Sequence, residues 1–109
     1  RSRGLGDVYK RQMDNDAKML KKLGSQITNL QVKYRGLSLD EQMSIQPALV
    51  QLLEEYGRYQ AKLVMIGIIT TEDDLKEIQK LKRGVDEAGS KIDMLAAIGK
   101  LISFIVVRV

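Results

Sequence analysis

The chain of 109 residues contains no cysteine, no histidine, no tryptophan and a single proline. Without cysteine there is no disulfide framework, no thiolate nucleophile and no cysteine-based zinc site. Without histidine the commonest general base and the commonest metal ligand are missing together, leaving only carboxylates, Lys, Tyr and Ser for any chemistry. Aromatic residues are scarce: beyond Tyr9 there are only Tyr34, Tyr56, Tyr59 and Phe104. Such a supply is poor for stacking the bases of a single-stranded nucleic acid. These gaps lead us to expect a non-catalytic protein with no cofactor, no bound metal and no small-molecule substrate.

The formal charge of +4, from 18 Lys+Arg against 14 Asp+Glu, suggests a basic protein. Much of that excess sits in the first twelve residues, RSRGLGDVYKRQ, which show neither helical nor strand periodicity. Residues 2–12 resemble one reading frame of a transposase-type sequencing adapter. The resemblance implies that residues 1–12 are a disordered scar outside the fold and that Met13 can be an internal position of a longer gene. Setting aside Arg1, Arg3, Lys10, Arg11 and Asp7 brings the net charge to about +1, so an argument from charge to nucleic acid loses its basis. Residues 13–109 are then a single domain with a modest core. The polar stretch after Met13 carries no secretory signal, which makes the cytoplasm the default location.

What the chain has in quantity is the heptad. Leu20, Leu23, Ile27, Leu30, Tyr34 and Leu37 are spaced 3, 4, 3, 4, 3 with polar residues between them, which predicts a helix over 16–35 with one buried stripe. Gly36 ends it, and Ser38 with Glu41 has capping-box spacing. Because Pro47 belongs in the first turn of a helix, the next helix is expected over 45–66 with Ser44 as its cap and a separate short turn before it. Its stripe is Ile45, Leu49, Leu52, Tyr56, Tyr59, Leu63 and Ile66, widened by Val50, Leu53 and Val64 toward two neighbours. Thr70 with Asp73, or Thr71 with Asp74, begins a third helix over 72–107, and the short link predicts that it packs beside the second as an antiparallel hairpin. Its seam reads Ile78, Leu81, Val85, Ala88, Ile92, Leu95, Gly99, Ile102, Val106 and Val109. The alternative is a break near Gly89, with Ser90 and Asp93 starting a fourth helix.

The expected fold is therefore all-α: an antiparallel three-helix coiled-coil-like bundle, four-helix if the break occurs, with a long apolar C-terminal helix. An unbroken third helix outruns the second by 16 residues, or about 24 Å. That overhang, residues 94–109, is the most apolar stretch of the chain. Leu95, Ile98, Leu101, Ile102, Phe104, Ile105 and Val106 are its candidate interaction residues. Four ways of covering it are open: packing inside the domain, pairing with a second copy or a partner helix, insertion into or along a membrane, and a β-strand over 102–107. A full span needs about 20 apolar residues; this run is shorter and contains Lys100. The functional expectation is a helical interaction or oligomerisation module acting through heptad packing. The alternative is a membrane-associating protein that uses the tail as a peripheral element, an anchor or part of a pore.

Other candidates read as ordinary surface. The acidic pairs Glu54–Glu55, Glu72 to Asp74 and Asp86–Glu87 are adjacent in sequence, so on a helix they point apart. Lys76, Lys80, Lys82 and Arg83 are interleaved with acids. Tyr56 and Tyr59 lie on the seam, and Gly99 with Ser103 is a short small-residue pair.

Overall fold

The computed structural model describes the backbone of residues 3–67 and 69–109, and the side chains of residues 15–67 and 69–109. Among the described residues it is all-helical: α1 (Arg3–Arg35), α2 (Leu39–Met65), α3 (Glu72–Glu87) and α4 (Lys91–Val106). α1 starts at Arg3 rather than near Asp16, so its backbone runs through residues 3–12, for which the adapter resemblance implied disorder. Residues 1–2 and the side chains before Asn15 lie outside the described residues.

Each later helix begins on a hydroxyl cap. Ser38 accepts from the Glu41 N–H while Glu41 accepts from the Ser38 N–H, and Thr71 and Asp74 do the same for α3. Ser90 accepts from the Asp93 N–H at the start of α4. These contacts satisfy amide donors that have no partner inside the helix.

Two expected boundaries are corrected. The second helix does not restart at Ser44; α2 runs unbroken from Leu39 through Pro47. Pro47 and Met43 both face solvent, so the Met43 carbonyl that Pro47 cannot serve is left on the wet side of the helix, where water can bond it. The third helix does not reach residue 107; it ends at Glu87 and α4 starts at Lys91. Lys33 of α1 closes that end, its ammonium donating to the carbonyls of Asp86 at 2.9 Å and Ala88 at 2.7 Å. A cation on these carbonyls complements the negative end of the helix dipole.

The break changes the topology. α2 packs against α4 and α1, and α3 packs against α1 and α4, so the helices run around the bundle in the order α1, α2, α4, α3. The consecutive helices α2 and α3 thus sit across the bundle from each other, not side by side as a hairpin. Their link turns at Gly67, whose φ of +70° supplies the left-handed residue that ends α2. Successive helices alternate in direction. Tyr56 near Leu20 sets α1 against α2, and Arg108 near Asp74 sets α4 against α3. By the same logic α1 and α3 run parallel, as Asn15 with Glu72 and Asn29 with Asp86 show.

Folding back removes the overhang. Met94, Ala97, Ile98, Leu101, Phe104 and Ile105 join Met19, Leu23, Ile27, Leu30, Ile45, Leu49, Leu52, Tyr59, Leu63, Ile78, Val85 and Ala88 in one core. The seam expected to continue through the break does not: Ile92, Gly99 and Val106 are exposed, and the buried stripe of α4 is 94, 98, 101, 105. Residues 102–106 are helical rather than strand. A helix that is apolar on several faces carries more than one stripe of 3–4 spacing, and contact with α2 and α3 selects which is buried.

Candidate functional site

The two halves of the bundle are held by different chemistry. α2 meets α4 through apolar side chains, whereas α1 and α3 are tied by a ladder of polar contacts along their length. At its head Asp16 Oδ1 accepts from the backbone N–H groups of Thr70 at 2.8 Å and Ile69 at 3.2 Å. Beside it Asn15 Nδ2 donates to Glu72 Oε2 at 2.7 Å. Further along, Lys22 reaches Gln79, buried Gln26 donates to the Ile78 carbonyl at 2.9 Å, and Asn29 donates to Asp86. This ladder holds Ile69 and Thr70 at the entry to α3 and aligns α3 with α1.

Above the ladder lies an open groove of about 720 Å³ rimmed by Lys18, Lys21, Lys22 and Lys82, with Leu75 and Gln26 in its wall. Lys22 and Lys82 are already engaged by Gln79 and Asp86. Gln26 Oε1 is buried without a hydrogen-bond partner among the described residues, and Thr70 is buried near the ladder's head beside Tyr59. Close to Thr70, burial pushes the Tyr59 phenol above the usual tyrosine range, so it stays protonated at neutral pH.

The apolar tail is placed as follows. Ile98, Leu101, Phe104 and Ile105 are buried in the chain's own core, Leu95 and Ile102 are half-buried against it, and Val106 alone of the seven is exposed. The tail is thus largely consumed by the fold. No helix among the described residues is long and apolar enough to cross a membrane.

The other candidates are scattered over the surface. Lys82 pairs with Asp86 and Arg83 with Glu87, each one turn apart on exposed α3. Among the described residues no three acids converge as a metal site would require. Tyr59 is core, while Tyr56 is half-buried, its hydroxyl 3.5 Å from the Leu20 carbonyl.

One surface feature was not foreseen. Val50, Leu53 and Val64, expected to widen the buried stripe of α2, face solvent instead. Met43, Pro47, Val50, Glu54, Gly57, Ala61 and Val64 are all exposed and are spaced 4, 3, 4, 3, 4, 3. This is a second heptad stripe on the outer face of α2, made of apolar or small residues except at Glu54. The signal was present in the sequence, but the inner stripe, with its larger residues, masked it. Comparison with family models, with curated proteins and with solved structures finds no match to this chain.

Proposed function

We propose that this chain is a non-catalytic helical interaction module whose contact element is the outer face of α2. The observation that carries this reading is the second stripe. A helix that packs on one side only is polar on the other; α2 instead keeps 3–4 spacing on both sides. Exposed Met43, Val50, Leu53 and Val64 lie along one side of a rod about 40 Å long, the length that 27 residues give. The apolar tail, by contrast, lies largely within the core from which that face is presented.

The test is light scattering coupled to size-exclusion chromatography from low micromolar to near-millimolar concentration, on the parent chain and on a Val50→Glu, Val64→Glu double variant. The parent is expected to associate, and the variant to remain monomeric with unchanged helix content. Association that survives the double variant, or a parent that is monomeric throughout, would count against α2.

A second reading rests on the shared end of α2 and α4. Lys62 Nζ donates to the Arg108 carbonyl at 2.6 Å, which brings together exposed Val64, Met65 and Ile66 with Val106, Val107 and Val109. That apolar end suits shallow contact with a membrane surface. Flotation with anionic liposomes tests it, and protein left at the bottom of the gradient removes it.

A further inference from the structure

Resting on the interaction-module reading, we infer that the partner of the outer α2 stripe is a second copy of this chain, bound antiparallel about a two-fold axis at Gly57. Three features of the stripe select that occupant and that geometry.

The first is space. Gly57 is the centre of the Val50 to Val64 part of the stripe, and a methyl group built on it meets nothing within 4 Å. A glycine on an exposed helix interior weakens the helix, yet it lets a second backbone approach closely. Placed on a two-fold axis, it makes the narrowest point of contact coincide with its own copy, as a self-complementary interface requires.

The second is size. In an antiparallel pair centred on residue 57, each residue faces the one equally far on the other side, so Val50 meets the copy's Val64 and Leu53 meets the copy's Ala61. Large residues oppose comparable or small ones, and no pair of bulky side chains collides. The overlap from Val50 to Val64 covers about four helical turns.

The third is charge, and it decides orientation. Glu54 is the one acid on the stripe and makes no ion pair among the described residues. A parallel in-register pair would set Glu54 against Glu54 on the seam, like charge on like. The antiparallel pair brings Glu54 to within about two residues, or about 3 Å along the axis, of the copy's Arg58. Arg58 is 68% exposed and within its own helix donates from Nη1 to both Glu55 carboxylate oxygens at 3.3 Å, so reaching the copy's Glu54 means sharing or exchanging that contact. The two-fold axis generates that ion pair twice.

The absence of cysteine gives a clean readout, because any disulfide reports only on introduced residues. Gly57→Cys, Val50→Cys and Val64→Cys are made singly in the full chain and oxidised at concentrations where light scattering has been recorded. Gly57→Cys is expected to cross-link to itself rapidly. Val50→Cys and Val64→Cys are each expected to cross-link poorly alone but readily when mixed with the other. A Glu54→Arg variant is expected to weaken association about tenfold, and adding Arg58→Glu to restore it. Dimers in which Val50→Cys and Val64→Cys each cross-link to themselves would overturn the antiparallel arrangement while leaving the module reading intact. Dimers with no cross-link at Gly57 would overturn the register in the same way. A chain monomeric at every concentration would overturn both.

Discussion

Arg108, just beyond the last turn of α4, grips Asp74 in the first turn of α3, with Nη2 2.9 Å and Nε 3.2 Å from the same carboxylate oxygen. The guanidinium also donates to the Phe104 carbonyl at 2.7 Å and lies 3.7 Å from the centre of the Phe104 ring. Both charged side chains are mostly covered, so the pair is less screened than a surface ion pair. It closes the end of the bundle where the two helices meet head to tail.

Replacing Asp74 by Asn tests that closure through its pH dependence. Burial alone would raise the Asp74 pKa, but the Thr71 N–H and Arg108 outweigh it and hold the carboxyl below its ordinary 3.8. A depressed carboxyl contributes stability that is complete above 3.8 and lost as pH falls through the folded-state value. Urea unfolding should show the parent more stable than Asp74→Asn by about 1–3 kcal/mol at pH 7. The gap should narrow steadily toward pH 3. A gap that does not change with pH would mean that Arg108 does not hold the carboxylate in solution.

Substitutions along α4 separate a buried tail from one held out for a partner. Leu101→Ala and Ile98→Ala remove fully covered side chains and should each cost about 2–5 kcal/mol in chemical denaturation. Ile92→Ala, on the same helix but 74% exposed, should stay within about 0.5 kcal/mol. Equal, small effects at all three positions would place the tail outside the core.

The break between α3 and α4 is expected to depend on Ser90 more than on Gly89. A methyl group on Gly89 has its nearest neighbour at 4.0 Å and its φ is not in the left-handed region, so Gly89→Ala should be neutral or stabilise by about 0.4–1 kcal/mol. Ser90→Ala loses the cap on Asp93 and should cost about 0.5–2 kcal/mol. Thermal melts followed by circular dichroism rank the two, and the reverse order would assign the turn to glycine flexibility.

Gly24 meets α2 at close range: a methyl group there would sit 3.0 Å from the Tyr56 hydroxyl. Alanine would otherwise favour the helix by about 1 kcal/mol. Gly24→Ala should therefore be more favourable in a Tyr56→Phe background than in the parent, by about 0.5 kcal/mol or more in a double-mutant cycle. Strict additivity would show that the two side chains do not touch.

The caps and the inner seams were legible from spacing alone. Ser38 with Glu41 and Thr71 with Asp74 mark helix starts because the hydroxyl and the acid must reach each other's backbone across one turn, a local requirement. Leu23, Ile27 and Leu30 declare their burial because α1 has a single apolar stripe, and Leu49 and Leu52 because the inner stripe of α2 carries larger residues than its outer one. Three features needed the third dimension. Residues 91–106 carry apolar side chains on several faces, so periodicity alone favoured the stripe through Ile92, Gly99 and Val106, which in the fold faces out. Pro47 reads as a helix boundary unless its face is known to be wet. The outer α2 stripe was hidden for a related reason: two overlapping patterns on one helix look in sequence like one broad stripe, and only contact with α1 and α4 separates them.

The order of helices around the bundle also sets a timetable. α2 finds its principal partner in α4, which follows α3 in the chain, so a nascent polypeptide must hold the apolar side of α2 uncovered while α3 is made. During that interval Ile45, Leu49, Leu52 and Leu63 have only α1 to shelter them, and a partly made chain is at its most adhesive. α4 is the segment that ends this exposure, so a chain stopped near Gly89 would yield not a smaller bundle but a client for chaperones.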